Sequence, residues 1–170
     1  MTLGIPTSTF LSIHVVLSLI GLVSGLVMLG GLIRGKLLPL WTGLFLATNI
    51  LTSITGFPLA PFGFDPPRAV GVLALILLVV ALIAVYGFER RLWRWVFIVT
   101  TTAALYLDAF VGVVQAFRKL AFLHALAPKQ TEAPFVAAHV VVLAIFVAIG
   151  ASAVFRFHPV SVAEAGGRHS

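Results

Sequence analysis

Three residues with chemical potential, His14, Asp108 and His139, stand inside otherwise apolar stretches of this chain. Two imidazoles at matching depth could ligate a b-type haem from both sides, with Arg68, Arg118 or Lys119 near enough in the chain to meet its propionates. With Asp108 added, the donor set is that of a two-histidine, one-carboxylate iron site, although three separate segments would have to converge. Asp108 alone could carry a proton or hold a substrate cation, as carboxylates within membranes do, or it could be a structural acid satisfying one histidine. The plainer reading of the histidines, hydrogen-bonded to Asp108, Asn49 or water, is favoured over haem ligation.

The elements that must hold these residues are five long apolar runs: Thr9 to Ile33, Leu40 to Leu59, Ala69 to Phe88, Trp95 to Phe117 and Phe135 to Phe155. Each approaches the roughly 20 residues that a helix needs to cross a bilayer core. Of 170 residues, 61% are hydrophobic and 9% charged, whereas a soluble domain carries about a quarter charged. Lipid is therefore the expected solvent. Barrel strands would alternate polar and apolar residues, and Leu73 to Ala84 alternates nothing, so the runs are predicted as helices.

Five crossings place the termini on opposite sides. One side receives Arg34, Lys36, Arg90, Arg91, Arg94, Arg156 and Arg168, together with Trp41, Trp93 and Trp95; the other receives Arg68, Arg118, Lys119 and Lys129. The first is predicted to be cytoplasmic, which puts the N-terminus in the periplasm and the C-terminus in the cytoplasm. Since the basic residues lie in the joints, the formal charge of +6 serves topology and headgroup contact, and nucleic acid is disfavoured as a partner. No Lys or Arg precedes the first run and the first alanine is Ala47, so no signal-peptide cleavage is expected.

Direction of travel gives each polar residue a depth. His14 and His139 fall about six and five residues into outward-starting helices, roughly 8 to 9 Å below that surface. Asp108, from the fourth helix, and Asn49, Thr52, Ser53 and Thr55, from the second, reach the same half of the bilayer. Helical spacing aligns His14, Ser18, Gly21 and Gly25; Thr42, Asn49, Ser53 and Gly56; and Thr101, Asp108, Gly112 and Gln115. The third run, Ala69 to Val85, has no polar side chain. These stripes predict a four-helix core of the first, second, fourth and fifth helices around a polar pocket, with the third helix peripheral on the lipid side. The pocket residues are His14, Asn49, Thr52, Ser53, Asp108, Gln115 and His139, and a histidine is the expected partner of Asp108.

Other features read structurally. Gly21 and Gly25 form a GxxxG that permits close helix packing and a homodimer. Thr100, Thr101 and Thr102 are expected to bond back to their own helix, with Thr101 on the polar stripe. The outer joint, Arg118 to Pro134, keeps helix-compatible residues through Ala127 until Pro128 stops it, which predicts a short interfacial lid. Pro61, Gly63, Pro66 and Pro67 mark a turn. With no cysteine, disulfides and thiolate metal sites are excluded. No HExxH, GxSxG or phosphate-binding glycine loop occurs.

The segments Leu51-Thr52-Ser53-Ile54-Thr55-Gly56-Phe57-Pro58, Ala104-Leu105-Tyr106-Leu107-Asp108 and Ala127-Pro128 through Glu132-Ala133-Pro134-Phe135 resemble an uncharacterised family of small bacterial inner-membrane proteins. That resemblance implies an inner-membrane location and no particular activity. The sequence as a whole predicts an all-α, polytopic integral membrane protein: residues 1–158 form a single five-helix transmembrane domain and residues 159–170 a disordered cytoplasmic tail. The expected function is a non-catalytic accessory subunit or small-ligand binder with a pocket open to the periplasmic side. Beyond the lipid bilayer, another membrane subunit is the expected kind of partner. The alternatives are a haem b electron carrier on His14 and His139 and a proton-coupled small-solute carrier on Asp108.

Overall fold

The computed structural model describes Gly4 and residues 6–59, 66–88 and 90–157. Among these the secondary structure is helical throughout: α1 (Thr7–Ile33), α2 (Pro39–Gly56), α3 (Pro66–Tyr86), α4 (Arg91–Lys119), α5 (Ala121–Leu126) and α6 (Ala133–Arg156). The expected tail and most of the expected proline-rich turn lie outside the described residues. Four helices, α1, α3, α4 and α6, are long and apolar enough to cross a membrane. The 18-residue α2 is not among them, because Thr42, Thr48, Asn49, Thr52, Ser53 and Thr55 dilute its apolar residues.

Helix boundaries follow local chemistry. Proline opens α2 and α6 in the first turn, where a missing N–H costs nothing. After α1, Gly35 adopts φ +73°, a left-handed conformation suited to glycine, and its N–H closes on the Leu32 carbonyl. Past α2, the guanidinium of Arg68, in the first turn of α3, donates to the Phe57 and Leu59 carbonyls. A cation there satisfies acceptors that a helix end leaves open and complements the end of its dipole. The short α5 ends before Pro128, as that proline predicts, and buries no residue.

Cross-chain contacts define two ends of the bundle. At the basic end, Gly35 lies beside the Arg156 carbonyl, Phe88 meets Phe157 edge to face at 5.9 Å, and Arg91 stacks over Trp95 at 4.7 Å. At the histidine end, His14 meets Thr55 and Phe117 meets Phe135 at 5.3 Å. Between them runs a core of Met28, Leu29, Leu32, Phe45, Leu78, Phe97, Ile98 and Leu105. Side chains such as Leu19, Val23, Ile76, Ile83 and Val147 are more than half exposed, an apolar exterior that lipid solvates and water does not.

One expected arrangement needs correction. The third apolar run, placed at the periphery from its lack of polar residues, inserts Ala74, Leu78, Ala81 and Ala84 into the core and packs against α4 and α2. Small and aliphatic residues suffice for that packing, so polarity was the wrong criterion. The more exposed helix is α6, which buries only Phe146 and Ala153.

Close approach of α1 to its neighbours rests on glycine. A side-chain carbon on Gly25 would lie 2.6 Å from Leu105 and 2.7 Å from Phe45, whereas one on Gly30 would meet nothing within 4 Å. Gly25→Val is therefore expected to destabilise the bundle by about 1–3 kcal/mol through overpacking, while Gly30→Val stays within about 0.5 kcal/mol. Reversible unfolding in mixed detergent micelles measures both, and equal effects would contradict the packing assigned to Gly25.

Candidate functional site

The α1 stripe of His14, Ser18, Gly21 and Gly25 faces α2 and α4, and each member meets a different partner. His14 Nδ1 lies 3.0 Å from Thr55 Oγ1, and Gly56 borders the same ring. One helical turn deeper, Ser18 Oγ donates to Asp108 Oδ1 at 2.9 Å, joining α1 to α4. Below that, Gly21 leaves room for Asn49 and Thr48 of α2, since a side-chain carbon there would stand 2.7 Å from Asn49 Nδ2. A ladder of polar contacts thus becomes tight apolar packing at Gly25.

The partner expected for Asp108 was a histidine, and the structure corrects this to a serine. Ser18 sits four residues after His14, on the same face of α1, so the hydroxyl rather than the imidazole is opposite the carboxylate. Asp108 Oδ2 is buried without a partner among the described residues, as are Thr52 Oγ1 and Asn49 Nδ2. Buried polar atoms of this kind ordinarily find a partner in protein or ordered water.

The atoms beside the two histidines constrain their tautomers differently. Thr55 has one hydroxyl proton, and it donates to the Leu51 carbonyl at 2.7 Å. With the hydroxyl hydrogen on the Leu51 carbonyl, the Thr55 oxygen accepts from His14 Nδ1; with the ring hydrogen on Nε2, the hydroxyl donates to Nδ1 instead. His139 Nδ1 lies 2.9 Å from the Phe135 carbonyl oxygen, a pure acceptor, and must donate. In the neutral His139 ring Nε2 is left as a bare lone pair. His139 Nε2 is buried and unpartnered among the described residues.

His139 is not part of the His14 cluster. Its ring is flanked by Phe110 at 4.5 Å and Phe135 at 4.3 Å, and it lines an open groove with Tyr106, Val140 and Leu143. His14 does not line that groove. A bis-histidine haem needs both Nε2 atoms across one flat slot, and in this structure the two rings have different neighbours, Thr55 for His14 and Phe110 with Phe135 for His139. The two-histidine, one-carboxylate iron set is corrected: among the described residues no three of His, Asp and Glu gather to hold a metal.

The other candidates divide. Asn49 is 3% exposed and faces Gly21, while Thr52 is half-buried. The Ser53 turn lies toward α3, its carbonyl 4.0 Å from where a side chain on Gly71 would begin. Gln115 is exposed, and Gly112 has open space around it, so the outer part of the α4 stripe leaves the cluster. Thr101 is fully buried and bonds back to the Phe97 carbonyl rather than facing a pocket. Thr102 instead packs against Gly150 of α6. Sequence reasoning did not assign Ser18 to Asp108 or Thr55 to His14; the available signal was i, i+4 spacing from His14 and i, i+3 spacing from Thr52.

No protein-family model matches this chain, and comparison with the curated proteins and with the solved structures returned no match.

A double-mutant cycle on Ser18→Ala and Asp108→Asn is expected to give a coupling energy of about 0.5–2 kcal/mol, the range for a hydrogen bond between helices in a bilayer. The cycle pairing His14→Phe with Asp108→Asn should couple by less than about 0.5 kcal/mol. Unfolding titrations in micelles supply all the terms, and the reverse order would restore histidine as the partner.

Proposed function

We propose that this is a small bacterial inner-membrane protein in which α2 is a fifth crossing, the N-terminus is periplasmic and the C-terminus cytoplasmic. At about 1.5 Å per residue, the 18 residues of α2 reach about 27 Å, close to the thickness of a hydrocarbon core. Its C-terminal turn lies beside the N-terminal part of α1, through Thr55 and His14, so it runs antiparallel to α1 for its whole length. Polar residues on a crossing helix are tolerable when they face the bundle, as buried Thr42, Thr48 and Asn49 do. The concentration of Arg34, Lys36, Arg90, Arg91, Arg94 and Arg156 at one end supports the orientation.

Within that frame the protein acts as a non-catalytic accessory subunit or binder of a small polar ligand. Its site is the His14, Ser18, Asn49, Thr52 and Asp108 cluster, near the periplasmic end. The single observation that carries this reading is the half-satisfied carboxylate: Ser18 holds Asp108 Oδ1, while buried Oδ2 has no partner among the described residues. A ligand bearing an O–H or N–H donor would complete it. The same orphan oxygen favours proton-coupled transport through Asp108 as the second reading, since intramembrane carboxylates commonly mark proton relays.

Native mass spectrometry of protein released from mild detergent tests the first reading. A bound species of constant mass, or a stoichiometric partner, should accompany the wild type and be lost or weakened at least about tenfold in Asp108→Asn, the loss of one charge-assisted hydrogen bond. Protein that is bare and partnerless in both forms removes this reading. Proton flux in liposomes that disappears in Asp108→Asn would select the carrier. Periplasmic and cytoplasmic reporter fusions at the two termini check the five crossings, and signals from one compartment would refute them.

A further inference from the structure

The joint between α4 and α6 folds back onto the bundle instead of standing off it. Phe117 and Phe135 meet at 5.3 Å, so α4 ends and α6 begins side by side. Between them the Gln130 amide donates to the Val114 carbonyl at 3.2 Å, about 7 Å back along α4 from Lys119, and Ala127 has no exposed surface. These contacts hold α5 at the level where α4 leaves the bilayer. From Arg94 to Arg118 the helix rises about 36 Å, so a hydrocarbon core of about 30 Å fits between the two guanidinium groups. Arg118 and Lys119 therefore stand among lipid headgroups.

Around its own axis α5 is divided. Leu123 is half-buried toward the bundle, where α5 packs on α4. Phe122 and Leu126, 66% and 56% exposed, are i, i+4 neighbours on one flank. Each is two residues from His124, which places the imidazole about 160° round the axis from both, on the opposite flank. A helix lying flat at a membrane boundary has this arrangement, with one flank apolar for lipid and the other polar for water. Charge agrees with it. Arg118 and Lys119 close α4 and Lys129 follows α5, whereas the carboxylate of the joint, Glu132, is taken up by the backbone N–H groups of Lys129 and Thr131.

We propose that α5 is a membrane anchor embedded in the headgroup layer of an anionic phospholipid leaflet. Phe122 and Leu126 insert beside the tops of the acyl chains, His124 faces water, and Arg118 and Lys119 pair with lipid phosphates. Left in water, the two apolar side chains would stay hydrated and the two cations would lose their counter-charge, so both terms favour the lipid surface. The proposal rests on α4 and α6 crossing a bilayer, and it is independent of Asp108 and of which face is periplasmic.

Since the chain has no cysteine, Phe122→Cys, His124→Cys and Leu126→Cys variants each carry a single nitroxide label at a defined place. All three side chains are exposed, so none of these substitutions opens the core. In nanodiscs containing phosphatidylglycerol, collision with oxygen, which partitions into lipid, should exceed collision with a water-soluble nickel chelate at Phe122→Cys and Leu126→Cys, and the order should reverse at His124→Cys. A photoreactive phosphatidylglycerol should label the Arg118 to Leu126 peptide more than its phosphatidylcholine counterpart does, and that preference should fall about fivefold for each of Arg118→Gln and Lys119→Gln. Asp108→Asn should leave every one of these readings unchanged, which separates failure here from failure of the ligand site. Collision dominated by nickel at Phe122→Cys and Leu126→Cys, or equal labelling of the wild type by the two lipids, overturns the proposal. So does efficient cross-linking of unlabelled Leu126→Cys between two copies, which would make α5 a subunit contact.

Discussion

A carboxylate inside an apolar bundle cannot be left facing hydrocarbon, and the Ser18–Asp108 hydrogen bond is how this chain meets that constraint. The bond joins the first long helix to the fourth across most of the sequence, and it needs α1 and α4 close enough for a short hydroxyl to reach. Close approach is supplied further down by Gly25, where Leu105 of α4 and Phe45 of α2 press into the space that a side chain would take. The polar contact and the small residue therefore act on the same face of α1. One provides direction and the other provides distance, in a setting where hydrophobic burial contributes little to helix association.

The same logic orders α2. Thr48 bonds back to the Leu44 carbonyl and Thr55 to the Leu51 carbonyl, so two hydroxyls are satisfied within the helix itself. The Thr55 oxygen also meets His14 Nδ1 at 3.0 Å, which ties α2 to the outer turn of α1. On α6 the Phe135 carbonyl accepts from His139 Nδ1. That carbonyl leaves the neutral His139 ring with a buried lone pair on Nε2.

The two histidines nonetheless belong to different environments. His14 lies against the Thr55 hydroxyl between α1 and α2, whereas His139 lies among aromatic rings on α6 beside an open groove. The first is a polar contact that joins two helices, and the second is a ring packed edge to face among other rings. That contrast is what separates the two sites chemically, although the rings begin at nearly equal depth from their helix starts.

What the residues alone determined is the class of the molecule: apolar runs too long and too uniform for strands or a soluble core, basic joints gathered at one end, a proline-terminated lid, and an α1 face that is polar above and small below. Which polar atoms meet was decided only in three dimensions, where Ser18 displaced histidine as the partner of Asp108, His139 left the cluster, Gln115 turned outward, and α3 entered the core. The physical reason is that lipid and bundle interior are both apolar. A helix such as α3 or α6 is hydrophobic on every side, so its composition carries no record of which side faces its neighbours, and rotation about the axis is left to side-chain packing and hydrogen bonding between helices.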